Sequence, residues 1–317
     1  MSGTASKLTS GALMGAMVAS LVCAGAALWP AHGAETAAVP NFSPDSMTGW
    51  LAQDDEFILP PSGPGPIVSD PAHPYISFYK FPSNPRPSFR VADLSNPILQ
   101  PWTRERLRKV NERSLSGQVV AIPKERCWPV GVPAFLVLPA TPVYFLQTPK
   151  EVLMIWMQDH QVRRVSLNVP HAANVKPSWY GDSVARYEGD TLVIDTVGTK
   201  ANRPFAMIDL YGTPYTEKLH VIERYRLLDY DDAKEGLDRD AKENQRPAVG
   251  IDRNYRGKHL QIHFTVEDEG VFTTPWSATI TYGRGSTEWP ETVCAENTQE
   301  YYNHKQSDVP RADKPDF

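Results

Sequence analysis

Glu223 is the side chain whose setting most needs a chemical explanation. It lies within Leu219–Leu227, Leu-His-Val-Ile-Glu-Arg-Tyr-Arg-Leu. Side chains on a strand alternate between two faces, so Leu219, Val221, Glu223, Tyr225 and Leu227 share one face. His220, Ile222, Arg224 and Arg226 share the other. A carboxylate in an apolar row is costly to bury unless it is paired or protonated. Left unpaired, it offers the chemistry of a general acid or base. Paired, it becomes a buried Glu–Arg contact that fixes strand register, and Arg186, between Val184 and Glu188, has the right type to supply the cation. His220 is three residues from Glu223 and points to the opposite face, which excludes a simple His–Glu dyad.

Other residues extend the candidate set. Asp195 shares a face with Val193 and Val197 and is expected inward, close enough to Glu223 for two carboxylates to push a pKa upward. His171 follows Pro170 in a loop leading to Pro177-Ser178-Trp179-Tyr180. A loop histidine beside two aromatics suits a ligand contact, with Trp179, Tyr180, Tyr225 and His220 as further binding candidates. Asp159-His160, in a tight turn, is more simply solvated. His259, Gln261 and His263 share a strand face, but i,i+4 on a strand separates Cα atoms by roughly 13 Å, too far for one ion to take both histidines easily. A divalent metal at His220, His259 or His263 is therefore a weak alternative, and no metal or cofactor is expected. No G-x-S-x-G, H-E-x-x-H, phosphate loop or dinucleotide fingerprint is present, which argues against serine hydrolase, zincin and nucleotide chemistry.

The elements that must position these groups are mostly strands. Period-two stretches occur at Val143–Gln147, Val152–Gln158, Gln161–Val169, Ser183–Glu188, Thr191–Val197, Leu219–Leu227, Lys258–Glu267 and Ser277–Tyr282. Short connections such as Glu188-Gly189-Asp190 imply antiparallel hairpins, with Gly189 supplying the positive φ. The expected fold is all-β: an antiparallel, up-and-down, lipocalin-like barrel or strongly curled sheet. One helix is expected near 102–116, with Leu107 and Val110 as its apolar positions and its basic residues on a solvated face. The charged stretch 229–249 reads as a solvated loop or short helix inserted between strands.

The remaining features bear on compartment. Residues 1–33 read as a secretory signal peptide, with Lys7 in the n-region, the apolar run Gly11–Leu28 and an Ala31-His32-Gly33 cleavage site. Losing Lys7 takes the formal charge from −5 to −6. That mild balance argues against nucleic-acid and anionic-membrane partners. Residues 34–100 form a Pro-rich irregular arm with aromatic anchors, and 101–317 a single β domain. Cys127 and Cys294 remain after cleavage, most simply as one disulfide closing about 168 residues and stabilising by roughly 4–5 kcal/mol on chain-entropy grounds.

Several motifs carry a resemblance. Cys127-Trp128-Pro129-x-Gly131-x-Pro133 is followed by Lys176-Pro177-Ser178-Trp179-Tyr180-Gly181, Tyr187-Glu188-Gly189-Asp190-Thr191-Leu192-Val193-x-Asp195-Thr196 and Leu219-His220-Val221-x-Glu223-Arg224. From about Asn96 onward the chain resembles a large family of exported bacterial proteins with no established catalytic mechanism. The resemblance implies export and a common fold. Such proteins usually carry His where this chain has Arg186, and often where it has Tyr215. The leading expectation is an exported, periplasmic or secreted barrel that binds a small apolar or aromatic molecule. The alternative is a cofactor-independent isomerase, lyase or hydrolase using Glu223, with Asp195, Arg186 and His171 around it.

Overall fold

The computed structural model describes residues 39–43, 49–52, 57–75, 90–117, 123, 127–137, 142–156, 161–203, 206–243 and 254–285. The expected leader at 1–33, the Asp159-His160 turn and Cys294 lie outside these residues. Nine strands close into a barrel in sequence order: β1 (Trp50–Ala52), β2 (Val143–Gln147), β3 (Glu151–Trp156), β4 (Val162–Leu167), β5 (Asp182–Glu188), β6 (Thr191–Val197), β7 (His220–Leu228), β8 (His259–Glu267) and β9 (Trp276–Arg284). The all-β barrel matches the alternating sequence. One neighbouring pair departs from simple up-and-down order: β4 and β5 run parallel. The long segment between them crosses from one end of the barrel to the other before β5 begins. A parallel pair needs such a crossover, whereas the β5–β6 hairpin turns on Gly189 at φ 62°.

Inward positions follow from the register. Ile194 pairs with Glu223, Glu223 with Phe264, and Phe264 with Ala278, so these four residues point into the barrel. Alternation then places Val221 and Tyr225 of β7, Met154 of β3, and Arg163 and Val165 of β4 inside, all buried. The arm also contributes to the interior. Phe42 is fully buried, 5.2 Å from the Phe145 ring and 6.3 Å from that of Tyr225. Its backbone carbonyl accepts from Trp50 Nε1 at 2.7 Å, and its N–H donates to Gln147 Oε1 at 2.8 Å. Phe57 packs on Phe264 and Trp276 at centroid distances of 4.7 and 6.2 Å. These rings occupy interior positions where a ligand-carrying barrel would seat an apolar guest.

Among the described residues two α-helices lie outside the barrel. α1 (Pro101–Leu115) starts with proline at its first position, where a missing N–H costs nothing. Its buried stripe is Thr103, Leu107, Asn111 and Ser114, not Leu107 and Val110 alone. The reason is polar docking. Asn111 pairs with both the N–H and the carbonyl of Ala92, and Thr103 Oγ1 donates to the Val271 carbonyl at 3.0 Å. The basic face is solvated, with Arg108 spanning Glu105 and Glu112. α2 (Tyr230–Glu243) lies within the charged insert and contacts β8 and β9. Among the described residues no helix is long and apolar enough to cross a membrane.

Candidate functional site

Inside the barrel, Glu223 is closed into a fully buried ion pair, and the cation is Arg163, not Arg186. Both side chains of the pair are wholly inaccessible. Arg163 Nη1 donates to Glu223 Oε1 at 3.1 Å and Nη2 to Oε2 at 2.5 Å, a bidentate geometry. Nη2 also reaches Thr196 Oγ1 at 2.8 Å, and the guanidinium reaches Ser183 Oγ at 3.2 and 3.3 Å. Phe135 stacks 4.7 Å from its centre. The Tyr225 hydroxyl donates to Glu223 Oε1 at 2.9 Å. Burial opposes charge on Arg163, but Glu223 more than offsets this and holds the guanidinium firmly protonated. Tyr225 is pushed well above the usual phenol range by burial and then by the Glu223 charge. Arg163 thus ties β4 to β5, β6 and β7, beside the parallel seam where only Ser166–Val184 and Leu167–Ala185 are paired. This is a closure device with no solvent path to a substrate. Tyr225→Phe should cost about 1–3 kcal/mol, because it removes a buried donor from Glu223. Urea denaturation checks this, and a cost near zero would mean the hydroxyl contributes nothing to the pair.

Arg186 lies outside, with an exposed side chain paired to Glu188. The expected partnership with Glu223 fails because alternation from Ser183 and Ala185, which are buried, sends residue 186 outward. Asp195 is likewise outward. Its neighbour Ile194 pairs with Glu223, so Asp195 takes the opposite face despite its apolar neighbours Val193 and Val197.

On that outer face Asp195 is the centre of a row of five side chains. Its Oδ1 lies 3.0 Å from His171 Nε2 and 2.9 Å from His220 Nε2. The other ring nitrogens are also engaged: His171 Nδ1 faces Asp182 Oδ2 at 3.1 Å, and His220 Nδ1 faces Glu267 Oε2 at 3.1 Å. The order is Asp182–His171–Asp195–His220–Glu267. Strand register builds it. His220 of β7 pairs directly with Glu267 of β8, while Asp195 of β6 is the diagonal neighbour of His220 and of Asp182 on β5. His171 comes from the loop after β4 and lies across β5 and β6. The row is accessible to solvent, with side-chain exposure of 27% for His171, 29% for His220 and 34% for Asp195.

Counting protons defines the chemistry. Each of the four N···O contacts needs one proton between nitrogen and oxygen, and two neutral imidazoles bring only two. The row is fully bonded when both rings are imidazolium and the three carboxylates are ionised. Burial opposes charge on His171, but the hydrogen bonds that its ring donates to Asp195 and Asp182 outweigh it and raise the pKa above the ordinary imidazole value. A raised folded-state pKa contributes stability that is present below the unfolded value and is lost as pH climbs through the folded one. The stability difference between wild type and His171→Ala should therefore be largest near about pH 6 and shrink toward about pH 9. Denaturant titrations across that range check the sign.

The other candidates fall apart in space. Tyr225 belongs to the interior pair. Tyr180 stacks on Trp156 with parallel rings at 5.7 Å and donates to Gln161, and burial pushes its phenol up. Trp179 is half-buried, 5.7 Å from Trp128 and 4.5 Å from the Arg203 guanidinium. His259 is buried, with Nδ1 on the Gly257 carbonyl and rings of Tyr230 and Tyr255 nearby; burial lowers its pKa. His263 is lowered by burial and then by Arg224. His220 pairs with carboxylates and not with these two. Among the described residues no three His, Cys, Asp or Glu side chains are arranged to hold a metal ion. Cys127 sits in a turn and is not a free thiol.

Sequence reasoning missed Arg163, Asp182 and Glu267. Arg163 carried a partial signal, since it shares a strand face with Val165 and Leu167, but Arg186 likewise shares one with Val184. Asp182 and Glu267 carried none, because their roles arise from cross-strand register. Comparison with protein-family models, with curated proteins and with solved structures finds no match to this chain.

Proposed function

We propose that the protein is an exported barrel whose working surface is the outer-face row centred on Asp195, acting as an acid–base site of a cofactor-independent isomerase, lyase or hydrolase. One observation carries this reading: His220 is half-exposed and held between two carboxylates, Glu267 on Nδ1 and Asp195 on Nε2. A carboxylate that fixes one ring nitrogen sets the orientation of the other for proton transfer. The sealed pair at Glu223 supports a structural role for that carboxylate. A panel of lactones, esters and enolisable keto acids, assayed with wild type, His220→Gln and Glu223→Gln, tests the proposal. Turnover should disappear in His220→Gln while the folded fraction of Glu223→Gln remains active. Turnover by no member of the panel, or full activity of His220→Gln, would overturn it.

A second reading, binding of a small aromatic molecule, is supported by the half-exposed Trp128–Trp179 pair beside Lys200 and Arg203. Rings and flanking cations suit an aromatic acid. A thermal-shift screen with aromatic acids, lignin fragments and terpenoids tests it, with Trp179→Ala as the control that should abolish any shift.

A further inference from the structure

Every ring nitrogen in the row is already engaged with a carboxylate, so the closed arrangement has no free site from which to take a proton. Chemistry requires one contact to open. Asp182, Asp195, His220 and Glu267 all sit on strands of the barrel, and His171 alone is carried by a connecting segment. That segment, Pro170–Gly181, is held unevenly. Its C-terminal part is fastened by backbone bonds from Ser178 N to the Gly198 carbonyl at 3.1 Å and from Lys200 N to the Ser178 carbonyl at 2.8 Å. Val175 packs against Gly198, and Trp179 against Trp128 and Arg203. Before it, the Asn168 N–H donates to the Ala185 carbonyl at 2.8 Å. Between these anchors, among the described residues, the hydrogen bonds to the barrel are those of His171 and the Ala172 N–H, which donates to Asp182 Oδ2 at 2.9 Å. Ala172, Ala173 and Asn174 are exposed.

We infer that the stretch around His171 is a proton-operated strap, closed over β5 and β6 while its ring donates to both Asp182 and Asp195, and opening as pH rises to release Asp195 beside His220. The physical reason is donor count. A neutral imidazole has one N–H, so one of the two carboxylates then faces a lone pair, and the bridge becomes repulsive at that end. The groups facing the ring are Asp182 from β5 and Asp195 from β6; His220 from β7 faces Asp195 from the other side, backed by Glu267 from β8. Lys176, on the strap itself, is exposed. With three carboxylates around two imidazoles, the row favours retention of the ring proton in the closed form. The inference rests on the row being the working site, but its test reads the strap alone.

Hydrogen exchange of the 170–176 segment in the full chain, corrected for the intrinsic pH effect, is the experiment. Opening of the Ala172 amide should increase about ten-fold per pH unit through the titration of His171, while amides of β7 and β8 stay unchanged. In His171→Gln, which keeps a neutral donor but has no proton to lose, the segment should be more open and its opening independent of pH. Constant corrected protection of Ala172 between about pH 5.5 and about pH 8.5, or the same pH dependence in His171→Gln, would overturn the strap. Wild-type data alone decide the matter if the variant fails to fold. A strap that opens without any turnover in the substrate panel would refute the acid–base reading and leave the strap standing.

Discussion

Arg163→Met should destabilise the protein by about 3–5 kcal/mol, measured by urea or thermal unfolding. The substitution keeps much of the side-chain volume and removes only the charge and its donors, so the cost is that of leaving Glu223 ionised and unpaired inside the barrel. Glu223 escapes the penalty by taking up a proton, so the destabilisation should lessen as the pH is lowered. The double variant Arg163→Met/Glu223→Leu should recover most of the loss, because an apolar pair needs no solvation. Barrel closure is the second part of the expectation. The β4–β5 seam has only two paired positions, and Arg163 bridges it to Ser183, Thr196 and Glu223. Exchange protection should therefore fall first along β4 and β5. A cost under about 1 kcal/mol would mean the pair contributes no more than an exposed one.

Under the proposed acid–base role, Asp195→Asn carries the largest expected effect on function, a fall in kcat/KM of about 10²–10⁴ with little change in fold. Its side chain is about one-third exposed and points away from the core, so the amide is accommodated without a buried penalty. The change removes the one carboxylate that both imidazoles share. His171 and His220 then each lose an anionic neighbour, and the proton affinity of His171 should drop toward the ordinary imidazole value. A pH–rate profile separates this from a structural defect: the limb belonging to His171 should move to lower pH in Asp195→Asn. An unmoved profile with reduced amplitude would point to misfolding instead.

The contrast between these two residues shows what a sequence carries and where it stops. Alternation was enough to separate His220 from Glu223 and to identify Glu223 as a carboxylate needing a partner, because both follow from local strand geometry. It was not enough to choose between Arg163 and Arg186. Each is an arginine on a strand, and only the burial of Val165 and Leu167, against the exposure of Glu188, tells which one faces in. Asp195 misled for a related reason. Its neighbours Val193 and Val197 are apolar, and Val193 is buried on the outer side, so an apolar row did not mean an inward row. The five-residue row was illegible because it depends on register across four strands and on a loop that crosses two of them. Phe57 was legible as an anchor, since aromatics scattered through a proline-rich arm need somewhere to pack, but its place inside the barrel, and that of Phe42, was not.

The barrel interior and its outer face therefore divide the labour. Inside, an ion pair and the rings of the arm seal the core; outside, a solvent-accessible row of imidazoles and carboxylates raises the proton affinity of His171. Nitrogen-15 NMR titration of the histidines, in wild type and Asp195→Asn, tests that claim most directly. The expected result is His171 with both ring nitrogens protonated at pH values where a free imidazole is already neutral, and a lower pKa in Asp195→Asn. A His171 that titrates as a free imidazole in wild type, unchanged by Asp195→Asn, would contradict it.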